Sequence, residues 1–555
     1  MTTTDNARAL RLLTRLSRAA QHSPAAALAL TEAIVTRPEA LLPIALDVAR
    51  AGHGPIDDAI ARTLPAADLG YTALRALEAS IPLATIALAH TALTLAQAAD
   101  HKATGNKEHA DALRQLTLRL SAVGRFPEAV AVAEEAVGLS RGLMERNPDA
   151  HTADLATALN NLAAQLGEVG RHREALAVAE EAVGLWRALM ERDPDAHTSR
   201  LATALGNLAS RRGEVEQHRE ALALAEESVG LWRGLMECDP DAHTADLAGN
   251  LSNLAGLLCK VGRHREAVAE AEEAVRLWRG LMDKNPDAHT SRLAMALNNL
   301  AAQLGDVGRH WEAVAVARES VGLWRGLVKR QPDAHTAELA NALSNLADQL
   351  GEVGRHPEAL AMMQESVGLW RGLVECDPDA HTSSLATALD NLAVLLGEVG
   401  RHREALAQAE ETVRLWRALV DRGPDAYTAD LATALSNLAV PLGEMGRHRE
   451  ALAEAEEGVG LWRGLVECDP DAHTSSLAKA LNIRAAWLSA VGRNREALAV
   501  MRECVGLRRG LVESQPDAHT ADLAMALGNL AVLLAKVGRH SEARAAREEA
   551  RIDPT

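Results

Sequence analysis

Aromatic side chains are nearly missing from this chain: Phe, Trp and Tyr together make up 2% of its 555 residues, with a single Phe, two Tyr and nine Trp. Burial must therefore rest on Ala, Leu and Val within a composition that is 48% apolar, and that palette favours helix over sheet. Positive charge is also short. With 58 Lys and Arg against 76 Asp and Glu, the formal charge is −18, which repels a phosphate backbone and an anionic lipid surface, so neither nucleic acid nor membrane is expected as a partner. Cysteine is sparse: Cys238, Cys376 and Cys468 sit in one register of a repeat, copies apart, too distant for a disulfide. Cys259 and Cys504 show no ligand spacing. A reducing, cytoplasmic setting is the expectation.

Signatures of catalysis are absent as well. The sequence has no G-x-x-x-x-G-K-[ST] phosphate loop, no G-x-S-x-G elbow and no H-E-x-x-H helix. Scattered pairs such as His172 and Glu174 follow from repetition alone. No enzymatic activity, cofactor or metal is therefore expected. Met1 to Leu10 includes Asp5 and lacks an apolar core, unlike a secretory signal. The charge-free stretch from Ala79 to Ala99 is largely Ala and carries Pro82, His90 and Gln97, which fits a buried helix better than a membrane span.

What the chain does have is a period. Trp186, Trp232, Trp278, Trp324, Trp370, Trp416 and Trp462 are each 46 residues apart. A fixed period of this size marks an array of supersecondary units, none of which can bury its apolar face alone. Counted from the Thr after each P-D-A-H turn, nine full copies run from 106 to 519 and a shortened one from 520 to 555. Residues 1–105 fall outside the period and read as a degenerate helical extension, with helices near 5–21, 25–36, 38–51 and 72–99.

One copy, 152–197, serves for all. Thr152 is placed to cap a first helix, with Asp154 in its first turn. Leu155, Leu159, Leu162, Ala163 and Leu166 form its apolar stripe. Gly170 can take the left-handed conformation that ends it. A second helix starts near His172 and buries Ala175, Ala179, Ala182, Val183, Trp186, Leu189 and Met190 until Pro194 stops it. The Trp ladder reads as inter-repeat core, each indole contributing on the order of 2–3 kcal/mol. Ser140 in the Trp register of the first copy, and Arg544, Arg547 and Arg551 in the last, read as polar ends. Pro441, inside a first helix, is expected to bend it. The rows of His at 151, 197, 243, 289, 335, 381, 473 and 519, interrupted by Tyr427, read as capping or turn residues rather than zinc ligands, because equivalent positions in stacked hairpins cannot converge on one ion.

Leu159-x2-Leu162-Ala163-x2-Leu166, followed by Gly170 and Ala175, resembles the tetratricopeptide repeat over about 106–555. The family's aromatic positions hold Leu166 and Ala179 here, and the terminating Pro arrives a dozen residues late. The Leu159-Asn160-Asn161-Leu162-Ala163 core is similar to long-period kinesin light chain repeats and to bacterial arrays of multidomain signalling ATPases. The resemblance implies an all-α solenoid of stacked helical hairpins, a right-handed superhelix whose first helices line a concave groove for peptides or partner proteins.

Successive residues 100° apart put Thr157, Asn161, Ala164 and Glu168 opposite the Leu stripe of the first helix. The Asn register reads Gln115, Asn161, Asn207, Asn253, Asn299, Asn345, Asn391, Asn437, Ile483 and Asn529. Side-chain amides both donate and accept, so such a row can hold the backbone of an extended peptide. The resemblance implies that role for the eight Asn, while the residues alone equally allow amides that bond the neighbouring hairpin. Beside them run Glu168, Glu214, Lys260, Asp306, Glu352, Glu398 and Glu444, predominantly acidic, so a partner segment carrying Lys or Arg is favoured. The expected function is a protein-interaction scaffold; the alternative is a sensor array regulating a signalling ATPase or effector on a separate chain.

Overall fold

A computed structural model describes residues 3–20, 23–50, 55–64, 69–81, 89–215, 217–514 and 516–551. Among these the regular structure is helical, with no strand, and no helix is long and apolar enough to cross a membrane. The chain divides into two compact units, Met1–Leu257 and Leu258–Thr555.

The first unit opens with α1 (Thr3–Ala20), α2 (Pro24–Val35), α3 (Pro38–Arg50), α4 (Pro55–Thr63), α5 (Tyr71–Ala79) and α6 (Ala89–Lys102). Leu13, Leu30, Ile34, Leu46, Ile56, Ile60 and Leu95 close their shared core. Two departures from the expected segments stand out. No helix is expected between 51 and 72, yet α4 starts there on Pro55. The segment expected at 72–99 holds two helices, because α5 stops at Ala79 and Ser80 turns its hydroxyl back onto the Leu77 carbonyl at 2.7 Å. Residues 82–88 of the charge-free stretch lie outside the described residues, and Ala92, Leu93, Leu95, Ala96 and Ala99 beyond them are buried.

Hairpins follow: α7 (Asn106–Ala122) with α8 (Phe126–Arg146), α9 (Pro148–Glu168) with α10 (His172–Arg192), α11 (Pro194–Glu214) with α12 (His218–Cys238), and α13 (Pro240–Lys260). The first helix begins five residues earlier than a cap at Thr152 implies: α9 starts on Pro148, after Asn147. Pro194 occupies the first turn of α11, where its missing N–H costs nothing. Asp193 caps it by accepting from the Ala196 N–H at 3.2 Å. Thr152 instead donates its hydroxyl to the Pro148 carbonyl, 2.7 Å away, from inside α9. The far end of α9 is as expected: Gly170 has φ +76°, and the Arg171 N–H reaches back to the Leu166 carbonyl at 2.9 Å.

Each first helix is gripped on two sides. Leu155, Leu159, Leu162 and Leu166 pack on Val130, Ala133 and Val137 of α8. On the other side Ala156 and Ala163 meet Ala179, Val183 and Trp186 of α10, in one cluster with Leu201, Leu205 and Leu208 of α11. Trp186, 4% exposed, thus joins its own hairpin to the next, as expected. Met190 is only half-buried.

The second unit repeats the plan from the last turn of α13 through α14 (His264–Lys284) and the hairpins α15 (Pro286–Asp306) with α16 (His310–Arg330), α17 (Pro332–Glu352) with α18 (His356–Cys376), α19 (Pro378–Glu398) with α20 (His402–Val420), α21 (Pro424–Glu444) with α22 (His448–Cys468), α23 (Pro470–Ala490) with α24 (Asn494–Ser514), and α25 (Pro516–Lys536) with α26 (His540–Glu549). Close approach within a hairpin is set at one small position. Ser320 and Ser366 donate to the Ala294 and Ala340 carbonyls at 2.7 Å, and a Cβ on Gly458 would stand 3.1 Å from the Ala432 carbonyl. Second helices of neighbouring copies are tied by exposed Arg–Glu pairs, among them Arg325 with Glu365 at 2.6 Å and Arg371 with Glu411 at 2.9 Å. Each contributes little. α21 keeps the standard length through Pro441.

The ends need one correction. Arg544, Arg547 and Arg551 are exposed, as a polar end requires. Ser140 is not a polar end: it is 0% exposed, a small residue filling the Trp register while α5 and α6 continue the stack against α7. There the buried Arg119 of α7 donates through Nε to Glu78 Oε1 at 2.6 Å and through Nη2 to the Ile81 carbonyl at 2.7 Å.

Candidate interaction face on the first helices

The first helices of successive copies touch along one row, α9 with α11 in the first unit, and α15, α17, α19, α21 and α23 in turn in the second. Opposite the Leu stripe each therefore presents one turn-spaced line of side chains. In α15 this line is Met295, Asn299, Ala302 and Asp306, all exposed. In α19 it is Thr387, Asn391, Val394 and Glu398, of which only Asn391 is half-buried. Glu168, Glu214, Asp306, Glu352, Glu398 and Glu444 are all exposed.

The Asn residues separate into two groups. Asn207 donates to Asn160 Oδ1 at 3.0 Å, Asn437 to Asp390 Oδ2 at 2.7 Å, and Asn529 to Asn482 Oδ1 at 2.9 Å. Each bond reaches the preceding first helix, so these three amides tie hairpins together. For Asn161, Asn253, Asn299, Asn345 and Asn391 no side-chain hydrogen bond occurs among the described residues; Asn253 and Asn299 are exposed and the others half-buried. For two of them the cause lies 47 residues earlier: Gly206, which precedes Asn253 in that register, offers no amide oxygen, and Ser344, which precedes Asn391, is engaged with Ser366 at 2.9 Å. Asn345 follows Asn298, whose Oδ1 is buried with no partner. In the second unit, Asn299, Asn345 and Asn391 are consecutive along the row.

Exposed apolar groups gather on the same face. Among the described residues of the second unit, the exposed large hydrophobics are Met295, Trp311, Val394, Val440, Met445, Met525 and Val532. Five of them, all but Trp311 and Met445, occupy the Thr157 or Ala164 registers of first helices. The signal was present in the sequence as departures from the small residue usual at those registers.

Acidity is concentrated there too. Burial pushes the Asp348 carboxyl up to about 6, with Glu352 and Glu398 adding to the rise. Its side chain is open to solvent, so the desolvation comes from the flanking helices rather than from closure. Asp390 is also raised to about 6, chiefly by burial and by Asp430, against the opposing hydrogen bond from Asn437. Such carboxyls gain from a cation brought alongside.

The His of six P-D-A-H turns does something else. His197 lies 5.9 Å from Trp186, centroid to centroid, and His335 5.7 Å from Trp324, both tilted by 44°. They are packing partners of the indole, and at α11, α13, α15, α19 and α23 the Asx residue before Pro does the capping.

Comparisons with known proteins agree with this architecture. Tetratricopeptide repeat family models match residues 338–418, 155–195 and 248–287, and a model of anaphase-promoting complex subunit 5 matches residues 511–552. No curated protein matches the chain significantly. Among solved structures, BtubC (BKLC) from P. vanneervenii is 23% identical, covering 44% of this chain and 90% of that one, with a TM-score of 0.36. Kinesin light chain TPR-like repeats from Podosopora anserina are 17% identical over 41% of this chain and 98% of that one, TM-score 0.32. A Rap protein complexed with competence and sporulation factor is 14% identical over 71% and 96%, TM-score 0.44. The matched stretches fall on the helical hairpins described above, which are tetratricopeptide repeats over residues 155–195, 248–287 and 338–418.

Proposed function

We propose that the chain is a protein-interaction scaffold whose first-helix face, from α15 to α21, holds an extended segment of a partner bearing Lys or Arg. The observation that carries this reading is the coincidence, on one face, of three consecutive unengaged amides with exposed apolar and acidic groups. Asn299, Asn345 and Asn391 supply donors and acceptors for a peptide backbone. Met295, Val394 and Val440 offer apolar contact, and Asp306, Asp348, Glu352 and Glu398 set a preference for cations. Residues 1–105 act in this reading as an extension stacked before the array at 106–555. Asn207, Asn437 and Asn529 belong to the scaffold instead of the binding row.

The test uses the full chain and an immobilised peptide array of varied sequence, followed by fluorescence anisotropy on the selected peptides. The reading predicts that Lys- or Arg-bearing peptides are selected. It also predicts that Asn299→Ala, Asn345→Ala and Asn391→Ala together weaken binding by at least about tenfold, three lost hydrogen bonds at about 0.5–1.5 kcal/mol each, with no fall in melting temperature. Unchanged affinity in a folded triple variant overturns it.

A further inference from the structure

We infer that the second unit carries a binding site for one late transition-metal dication, Zn2+ by preference, made by Cys259, His264 and Asp306. One ligand atom from each lies within 4.8 Å of the others. A tetrahedral ion with sulfur, nitrogen and oxygen ligands at about 2.0–2.3 Å draws such atoms to about 3.5 Å apart, a closure that side-chain rotation can supply. The expectation that no metal site exists rested on the missing ligand spacing at Cys259 and on equivalent positions of stacked copies, whereas these three residues are non-equivalent positions drawn from two copies.

The backbone fixes two of the three. Cys259 lies in the last turn of α13 and His264 begins α14. Between them the Arg263 N–H bonds the Leu258 carbonyl at 2.8 Å and Gly262 takes φ +81°, so thiol and imidazole are held on one tight turn. Asp306 arrives from the end of α15, its Oδ2 3.8 Å from His264 Nδ1. That nitrogen is buried and has no hydrogen-bond partner.

The repeat itself supplies an internal control. The Cys259 register holds Gly in six other copies, at 167, 213, 305, 351, 397 and 443. The Asp306 register holds Glu at 168, 214, 352, 398 and 444. The His recurs, and in the first unit His172 Nδ1 simply meets Glu214 Oε2 at 3.0 Å. His310, His356 and His448 also have unpartnered Nδ1 atoms, so an idle imidazole is common to the array. What is particular to this corner is that the copy with a thiol is followed by the copy with the shorter acid. In this row the next copy's carboxylate comes to 3.0 Å from His172 and to 3.8 Å from His264, and at His264 the wider separation leaves a gap between them.

Charge follows. Burial, reinforced by Asp306, pushes the Cys259 thiol up to about 11, so without a cation it stays protonated at neutral pH. A dication reverses this: the thiol gives its proton to solvent, the sulfur bonds the metal, and thiolate plus carboxylate balance two positive charges. Three protein ligands leave a fourth position for water.

The test is a titration of the full chain with Co2+, read by the thiolate-to-metal absorption band, followed by competition with Zn2+. One equivalent of Co2+ per chain, with the band, displaced by Zn2+ and accompanied by proton release, is the expected result. Cys259→Gly installs the residue that six other copies carry, and His264→Asn the one at Asn494; each variant loses the band, whereas Cys376→Ser keeps it. The site is disproved if the wild type takes up no more Co2+ than Cys259→Gly, or if the band survives in either site variant.

Discussion

The Trp416 and Tyr427 rings lie with centroids 6.0 Å apart and tilted by 37°, at the single position in its row where Tyr replaces His beside a Trp. The His partners of the other six indoles keep 5.7–5.9 Å and 38–47°. Imidazole and phenol share a flat ring and little else, so the position selects a ring to lay against the indole. His335→Tyr in the second unit is therefore expected to leave stability within about 0.5 kcal/mol, as for a substitution that disrupts no named feature. His335→Ala is expected to cost about 0.5–1.5 kcal/mol, and Trp324→Ala about 3–5 kcal/mol. Because arrays unfold in parts, hydrogen exchange read by mass spectrometry is the apt measurement. Protection lost around α16 and α17, rather than uniformly, is the outcome this packing requires.

Much of this arrangement was legible because a single register repeats. Trp186 and its relatives set the period, Gly170 marked the break between helices, and rotation by 100° per residue put the Asn161 line opposite the Leu stripe. The helix start was misread because Thr198, like Thr152, imitates a cap, while the true signal, Asp193 followed by Pro194, lies five residues before it and belongs formally to the previous copy. The division among the asparagines was illegible for a different reason: whether Asn391 is engaged depends on Ser344 in the preceding first helix and on its bond to Ser366, a contact that appears only after stacking. Cys259 and Asp306 escaped for the same reason, each being a small departure from the template in a different copy.

That division predicts opposite responses to one substitution. Asn437→Ala removes the 2.7 Å bond to Asp390 and leaves a half-buried carboxyl unpaired, so a loss of about 1–3 kcal/mol is expected. Asn299→Ala removes an exposed side chain with no internal bond, and a change within about 0.5 kcal/mol is expected. Urea unfolding of the two variants under identical conditions checks the contrast, and equal losses would show that the amides are all structural.

Glu78 and Arg119 form a buried pair, 1% and 5% exposed at their side chains, where the helices preceding the array meet α7. Arg119 also donates to the Glu78 and Ile81 carbonyls at 3.1 and 2.7 Å, so the guanidinium stays hydrogen-bonded if Glu78 is lost but its charge does not stay compensated. Glu78→Leu is expected to cost about 3–5 kcal/mol, and the double variant Glu78→Leu, Arg119→Met distinctly less. Limited proteolysis within residues 1–105 gives the readout: rapid cleavage in the single variant and slower cleavage in the double.

Asp390 ties stability and binding to pH. Its folded carboxyl is raised to about 6 from 3.8, so between those values the folded chain holds a proton that the unfolded chain releases. Stability from this group is complete below about 4 and falls as pH rises through 6. A rise of about two units corresponds to about 3 kcal/mol, and partial exposure reduces this to an expected gain of about 1–2 kcal/mol for Asp390→Asn at pH 7.5, with none at pH 4. Asparagine there recreates the Asn160–Asn207 pairing, so the bond to Asn437 persists. Asp348, raised to about 6 by burial and by Glu352 and Glu398, carries the argument to the binding face. A Lys or Arg placed beside it favours the ionised form, so binding of a basic peptide should tighten between pH 5 and 7 and release a proton. In Asp348→Asn that part of the pH dependence should vanish. Calorimetric titration in two buffers of different ionisation enthalpy measures the proton directly; none released, or an unchanged pH profile in Asp348→Asn, would remove Asp348 from the interaction face.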